Sequence, residues 1–289
     1  MAIDVNRNSS GLITLPSEVS SQIWQDTQDA SIIQSLVPQI QLPGGGLDIP
    51  IITGDPEAEW VSETDEKPVS RPSFGQKNIK GYTMAVIVPF SNQFRRDYNS
   101  LYGALVGKLP GVLAKKFDQT ALGFAPSPGS GFDTLADATE VELDGYASYL
   151  AALRAVDAAD HADISAWALS SAGEIDALGE TDTAGRPLLI SDVQAQGSIG
   201  SILARPVHRN NNVANDNVVG IAGDWNSEMW GYVENINIDI SDQATLNDNG
   251  TPLNLWQRNM FAVRVEFEVG FAVRDPKRFV KLTKGVANP

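Results

Sequence analysis

The feature that most constrains the fold is a strict alternation of residue types near the C-terminus. Between residues 261 and 273 every odd-numbered position is apolar, namely Phe261, Val263, Val265, Phe267, Val269, Phe271 and Val273. The even-numbered positions include Arg264, Glu266 and Glu268. A period of two residues predicts a strand with one buried and one solvent-facing side. At about 3.3 Å per residue this strand spans about 40 Å, so we expect an elongated plate on which other segments dock.

The charged side of this strand allows two interpretations. Its side chains are either simply solvated or ion-paired to a neighbouring strand or subunit. The sequence Arg274-Asp275-Pro276 follows, and we expect Pro276 to end the strand because proline has no N–H to donate to a neighbouring strand.

The composition indicates a folded, acidic chain of 289 residues, which is enough for one large domain or two modest ones. Hydrophobic residues make up 42%, but no apolar run approaches the length of about 20 residues that a membrane helix needs. No basic and apolar signal segment follows Met1, so we predict no secretion signal. The absence of cysteine excludes disulfides, thiol catalysis and cysteine zinc sites. The net charge of −15 disfavours nucleic-acid recognition, but it does not exclude a container whose inner wall should not adsorb DNA.

Residues 1–46 have the composition of an extended arm. Val19 and Ile23 form a short helical stripe that Ser17 would cap, and a half-apolar segment follows at residues 31–37. The glycines at 44–46 are not followed by Lys-Ser or Lys-Thr, so they predict a turn and not a phosphate-binding loop.

The next segment predicts a long projecting hairpin. Apolar residues alternate at 47–51, where Pro50 restricts the strand to a sheet edge, and alternate again at 82–88. Between them, residues 54–76 carry six acids and three prolines, with Trp60-Val61 as the one apolar anchor. Such an arm cannot bury itself, so we expect it to lie on a partner or on a second copy of the chain; the alternative is a mobile surface loop.

Residues 91–122 predict a helix that begins after Ser91 as its N-cap. Apolar residues recur at helical spacing, at Phe94, Leu101, Leu105, Leu109, Val112 and Phe117. Lys108, Lys115 and Lys116 fall outside this stripe, and Gly103, Gly107 and Pro110 predict a kinked or interrupted helix.

Residues 133–240 predict a second unit of mixed strands and helices. We expect a helix from Leu143 to Val156 and a strand at 164–169. Either Ser170 or Ser171 caps a short helix that ends near Gly179. Strand-like segments follow at 187–190 and 201–203, and residues 232–240 alternate as one further strand.

A search for catalytic, cofactor and metal residues finds none, so the chain is predicted not to be an enzyme. No cluster of carboxylates has metal-ligand spacing to His161 or His208. Residues 247–250 lack the chelating end positions of a calcium loop and predict a turn. The acids at 55–66 lie in a projecting arm, where solvation is the better account. A soluble hydrolase remains a third hypothesis that only a convergent site would support.

Several short motifs, taken in their order and spacing, resemble the tailed-phage major capsid protein family with the HK97 fold. They are residues 58–63 (AEWVSE), Phe74, Ile79, 84–89 (MAVIVP), 94–97 (FRRD), 166–170 (AWALS), 185–188 (GRPL), 223–225 (GDW), 230–231 (WG), 259–264 (NMFAVR) and 270–279 (GFAVRDPKRF). The resemblance covers residues 15–283.

The resemblance implies an α+β capsid fold in four parts. Residues 1–46 would be the N-terminal arm, and residues 47–90 the E-loop hairpin, which in this family lies across a neighbouring subunit. Residues 91–132 and 241–289 would form the P-domain, with a long spine helix and the long C-terminal strand. Residues 133–240 would be the A-domain, a mixed sheet with helices around the five-fold and quasi-six-fold axes.

The resemblance implies that this chain is a capsid protein of the virion and that the capsid is assembled in the bacterial cytoplasm. It would form pentamers and hexamers of an icosahedral shell around double-stranded DNA, without sequence-specific binding, cofactor or membrane. A separate scaffolding protein, a portal and decoration proteins would be its other partners. The alternative is an encapsulin-type nanocompartment shell, which shares the fold but encloses a cargo enzyme.

Two family features do not carry over directly. Some members have a long N-terminal scaffolding segment that a protease removes, whereas here the fold signature starts within about twenty residues of Met1. We therefore expect either a mature chain or a scaffold that is a separate protein. Some members cross-link an E-loop lysine to a neighbour's asparagine. Lys67, Lys77 and Lys80 are candidates, as are the asparagines at 210–212, but the sequence singles out no pair.

Overall fold

The computed structural model describes residues 30–54, 56, 58–63, 66–91, 98–159, 161–181, 184–187, 189–190, 200–248 and 250–285. The helical stripe predicted after Ser17 and the predicted helix residue Phe94 lie outside these ranges. The helices of the described residues are α1 (Ile32–Leu36), α2 (Tyr98–Ala121), α3 (Tyr146–Asp157) and α4 (Ser171–Gly179).

The strands before α4 are β1 (Gln39–Gln41), β2 (Leu47–Gly54), β3 (Ser73–Ile79), β4 (Tyr82–Ser91), β5 (Thr139–Glu142) and β6 (Ala166–Leu169). Those after α4 are β7 (Leu189–Ile190), β8 (Gly200–Ile202), β9 (Arg205–Arg209), β10 (Val218–Gly223), β11 (Glu228–Tyr232), β12 (Asn237–Ser241), β13 (Thr245–Asp248), β14 (Thr251–Asn254), β15 (Met260–Val273) and β16 (Phe279–Thr283). Short 3-10 turns lie at Asn211–Val213, Trp225–Ser227 and Pro276–Arg278.

The predicted long strand is confirmed as β15, which has 14 residues and is paired along both sides. β4 runs antiparallel to it from Ser91 opposite Met260 to Tyr82 opposite Val269. On the other side β11 and β12 pair with its two halves, and β1 extends the sheet parallel to β11. All seven odd-numbered apolar side chains are buried. On the even side Arg264 pairs with Asp239 of β12 at 2.6 Å, which confirms the interpretation of an ion pair to a neighbouring strand.

α2 packs on this sheet through a buried face that includes Leu113, Phe117 and Ala121. The Phe117 ring makes edge contacts with Phe132, Trp230 and Phe271 at centroid distances of 6.2, 6.2 and 6.3 Å. Aromatic edge contacts of this kind add to the free energy gained by burial. Phe117 is therefore the one packing partner that these three aromatic rings share.

One residue of the predicted apolar stripe is wrong, and of the two predicted forms of the helix, kinked or interrupted, the interrupted one is excluded. Ser91 is the last residue of β4 and lies opposite Met260, but residues 92–97 lie outside the described ranges, so its role as the N-cap stays a prediction. The described helix runs uninterrupted from Tyr98 through Pro110 to Ala121. Val112 is 53% exposed, and its neighbour Leu113 takes the buried position instead.

The second unit is a seven-stranded sheet in the order β5-β16-β10-β6-β9-β8-β7. Its core contains Trp167, buried against Tyr149 of α3 with ring centroids 5.5 Å apart. The predicted strand and helix around Ser170 are confirmed, and the Ser170 hydroxyl accepts from the Gly173 N–H at 3.2 Å as the N-cap. Of the two candidates for this cap, the structure therefore selects Ser170.

The single strand predicted at 232–240 is wrong, because it is divided into β11 and β12. β11 ends with Tyr232 opposite Val269, and β12 begins with Asn237 opposite Glu266. Four residues, 233–236, thus stand against only two on β15. Two extra residues break the pairing although the apolar alternation in the sequence continues.

Candidate assembly surface

The projecting hairpin is present, but its second strand is not the one that the sequence predicted. β2 pairs antiparallel with β3, from Leu47 opposite Ile79 to Gly54 opposite Ser73. β4, which was expected to be the returning strand, belongs instead to the sheet of β15. Pro50 lies in β2, which pairs with β3 alone in a two-stranded sheet, as the prediction of an edge strand requires.

The base of the hairpin is fixed to the body of the subunit. The Ile79 side chain is fully buried in a small cluster with Leu42 and Ala272. The Lys77 ammonium group lies 2.8 Å from the Asp133 carboxylate. The same carboxylate oxygen accepts from the Val273 N–H at 3.0 Å, at the end of β15. The direction in which the hairpin leaves the subunit is thus set by contacts with the end of the central strand.

The hairpin tip, defined as residues 55–72, presents apolar and acidic side chains to solvent. Trp60 is completely exposed and Val69 is 82% exposed, and Phe74 just beyond the tip is 71% exposed. Among the described residues of the tip, Glu59, Glu63 and Glu66 are also exposed. A fully exposed tryptophan has a large apolar surface in water, and such side chains are typical of contacts with another protein surface.

An apolar cleft of about 640 Å³ lies between α2 and β4. Its lining includes Met84, Val86, Val112, Leu113, Phe117 and Phe132. Lys116 lies at the cleft, and Lys108 and Lys115 are also exposed on α2. The one acid in the sequence of α2, Asp118, is buried. The exposed charge of this helix is therefore positive, opposite in sign to the hairpin tip.

The residues that the sequence considered for chemistry do not form a site. His161 lies in the turn after α3, where its Nδ1 atom is 3.4 Å from the carboxylate of Asp157, the last residue of α3, whereas His208 lies within β9. Among the described residues no group of three or more His, Cys, Asp or Glu side chains can hold a metal ion. That the chain has no catalytic or cofactor-binding residue stays a prediction. No helix among the described residues is long and apolar enough to cross a membrane.

The candidate cross-linking residues are mostly engaged within the subunit. Lys77 pairs with Asp133, whereas Lys67 and Lys80 are exposed. The asparagines at 210–212 all make hydrogen bonds inside the chain; Asn211, for example, accepts from the Ser171 N–H at 2.9 Å. The structure brings none of these lysines into contact with these asparagines.

Sequence reasoning missed two buried carboxylic acids, Asp118 in α2 and Glu228 in β11. Both are inaccessible to solvent or nearly so, at 0% and 2% exposure. Burial raises the pKa of Asp118 to about 6, and it raises the pKa of Glu228 well above its usual value with a further contribution from nearby Asp224. Asp118 lies at helical spacing from Ala114 and Ala121, which are both buried, so it falls on the apolar face of α2. This spacing was the signal in the sequence that Asp118 is buried.

The family assignment follows from a comparison with known proteins. The model of the phage capsid family matches residues 11–284, so this chain belongs to that family. The α+β fold is the HK97-like fold that the motifs implied. The family is one of structural proteins of the capsid.

Individual relatives agree with this assignment. The probable major capsid protein gp17 of Mycobacterium phage L5 is 32% identical over 293 residues, which cover 93% of this chain and 89% of that protein. The major capsid protein of Staphylococcus phage 80alpha is 23% identical, over 93% of this chain and 84% of that protein. A solved structure from Gordonia phage Cozz matches with a TM-score of 0.72 at 23% identity, over 89% of this chain and 87% of that one. None of these similarities favours the encapsulin alternative.

Proposed function

We propose that this chain is the major capsid protein of a tailed bacteriophage and that copies of it assemble into the icosahedral shell of the virion head. The observation that carries the proposal is the hairpin tip, which presents the fully exposed Trp60 to solvent. Within a shell, this apolar surface would be covered by a neighbouring copy. Family membership supports the same conclusion.

The cleft between α2 and β4 is the surface of a second copy that best complements the hairpin tip. The cleft is apolar and open, so it can accept an indole ring, and the lysines of α2 are opposite in charge to the acids of the tip. A contact of this kind joins two different surfaces, which generates closed rings of subunits when the rotation between copies closes. Pentamers and hexamers are such rings.

The four-part division into N-terminal arm (1–46), E-loop (47–90), P-domain (91–132 and 241–289) and A-domain (133–240) remains part of this proposal. The sheets join these parts closely. β16 lies between β5 and β10, and both β11 and β12 pair with β15. We further propose a scaffolding protein, a portal, decoration proteins and packaged double-stranded DNA as partners, with assembly in the host cytoplasm and no enzymatic activity.

The test is assembly of the purified full-length chain, followed by negative-stain electron microscopy and light scattering. The expected result is closed shells of uniform diameter, formed by the chain alone or after co-expression with the neighbouring phage genes. Removal of residues 56–72 should abolish shells while the subunit keeps its circular dichroism spectrum. Subunits that stay monomeric under both conditions, with the hairpin intact, would contradict the proposal.

A further inference from the structure

Asp118 makes an unusual set of hydrogen bonds for a buried carboxylate. It accepts from the Ser31 hydroxyl at 2.5 Å and from the backbone N–H groups of Ile32 and Ile33 at 3.1 and 3.3 Å. The Asn212 amide donates to it at 2.7 Å. Three of the four donors therefore belong to the start of α1, namely its N-cap Ser31 and its first two residues, and the fourth belongs to the 3-10 turn at Asn211–Val213.

The same two segments are also joined directly to each other. The side-chain amides of Asn210 and Asn212 donate to the Ala30 carbonyl oxygen at 2.9 and 3.2 Å. Ile32 and Ile33 are buried in the main core beside these contacts. Residues 30–37, which we name the arm anchor, are thus held on α2 and on the 3-10 turn by one polar cluster centred on Asp118.

The described segments that cover Asp118 provide no charge that compensates its own. Its four donors are neutral, and neither the arm anchor nor residues 210–214 contain a titratable side chain. On α2 itself, Lys115 and Lys116 lie within one turn of Asp118 in sequence, and both are exposed to solvent. The protonation of Asp118 therefore depends on burial and on these hydrogen bonds.

We propose that Asp118 is a pH-sensitive latch for the arm anchor, which docks on α2 more tightly as the pH falls and separates from it more readily as the pH rises. This inference goes beyond the proposed function and rests on the geometry of the single subunit. A negative result would leave the assembly proposal intact. The N-terminal arm would then have two states, docked and released. The Asp118 carboxyl group is buried in the docked state and exposed in the released state.

The direction of the effect follows from linkage between docking and protonation. Burial raises the pKa of Asp118 from 3.8 to about 6 when the anchor is docked, against the opposing effect of its hydrogen bonds. Release exposes the carboxyl group to water and returns its pKa toward 3.8. The docked state therefore binds the proton more tightly, and its extra stability, fully present below pH 3.8, is lost as the pH rises through about 6.

The hydrogen bonds tolerate both protonation states. The ionised carboxylate accepts from all four donors, whereas the protonated form has one O–H to donate. The Ser31 hydroxyl can turn to accept that O–H, because a hydroxyl has two lone pairs and already accepts one hydrogen bond from the Gln34 N–H at 3.1 Å. Protonation thus removes the penalty for a buried charge and keeps the anchor in place.

The experiment measures hydrogen exchange of peptides covering residues 30–37 in the full-length chain between pH 5 and 8, corrected for intrinsic exchange rates. For the wild type, protection should fall by about tenfold across this range, since the docking equilibrium follows the two pKa values. In Asp118→Asn the protection of these peptides should be independent of pH. A peptide from β15 serves as the internal reference.

A matched variant separates a structural role from a titrating one. Asn210→Ala removes a donor to the Ala30 carbonyl but leaves Asp118 in place, so protection should be weaker at every pH and keep the same pH dependence. The wild-type profile tests the proposal even if Asp118→Asn does not fold. Wild-type protection that does not change with pH relative to the β15 peptide would overturn it, as would an unchanged pH dependence in a folded Asp118→Asn protein.

Discussion

Replacement of Trp60 by alanine tests the proposed contact between subunits most directly. The side chain is fully exposed, so its removal takes no packing from the subunit, and the free energy of unfolding should change by less than about 0.5 kcal/mol. In the shell, the indole ring would be buried in the neighbour's cleft. A loss of about 120 Å² of buried apolar surface at about 25 cal/mol per Å² weakens each contact by about 3 kcal/mol. That is about a hundredfold in the affinity of each contact.

The assay is the concentration at which light scattering first detects assembly, measured beside the thermal midpoint of the free subunit. Trp256→Ala is the matched control, because Trp256 is also exposed, at 69%, but lies in the turn before β15. We expect Trp60→Ala to raise the threshold concentration strongly and Trp256→Ala to raise it less. Equal thresholds for Trp60→Ala and the wild type would refute the reasoning, since they would show that Trp60 stays in water after assembly.

Three further predictions concern the subunit itself. Phe117→Ala should reduce the free energy of unfolding by about 3–5 kcal/mol in denaturant titrations, because it leaves a cavity among three aromatic rings; a loss below about 1 kcal/mol would contradict that packing. Gly270→Ala should cost about 1–3 kcal/mol, because the added methyl group would overlap the Lys80 carbonyl oxygen, and an unchanged midpoint would show that the backbone gives way. Glu228→Gln should raise the thermal midpoint at pH 8 but not at pH 4: burial raises the pKa of Glu228, so the wild type loses stability as the pH rises through that pKa. The same midpoint for Glu228→Gln and for the wild type at both pH values would exclude a raised pKa of Glu228.

The sequence patterns that succeeded are those in which local pattern and burial agree. β15 was predictable because every odd side chain is apolar and faces the core. The N-cap of α4 could be predicted as either Ser170 or Ser171, because a serine hydroxyl just before a helical segment is a local signal for a cap. The projecting hairpin was predictable from its acids and prolines, since such a segment cannot bury itself.

The predictions that failed depended on pairing partners distant in the sequence. β3 was missed because most of its side chains are exposed, so apolar residues do not alternate along it in the sequence. The C-terminal end of β4 at Ser91 is set by the length of β15, more than 160 residues away in the chain. The break between β11 and β12 arises because the chain there has two residues more than the facing part of β15. The alternation of apolar residues does not show this difference.

The two buried acids were missed for a different reason, because the spacing of Asp118 on α2 is only a weak signal of burial. Neither Asp118 nor Glu228 belongs to a motif, and an acid on an otherwise apolar face is usually solvated. Asp118 is buried because the arm anchor and the asparagine turn cover it together, and these segments lie more than 80 residues away on either side. Only the folded chain brings the three together.

The positions of β15 and β16 have a consequence for synthesis on the ribosome. These strands come after every other described strand in the chain, yet β15 is central to one sheet and β16 lies between β5 and β10 in the other. Contacts between distant segments form slowly, and a chain grows at about 5–20 residues per second. Neither sheet can close while its late strand is still inside the ribosome. A nascent chain therefore has no finished cleft between α2 and β4, because Val269 of β15 is part of its lining, and an incomplete subunit could not receive the hairpin tip of another copy there.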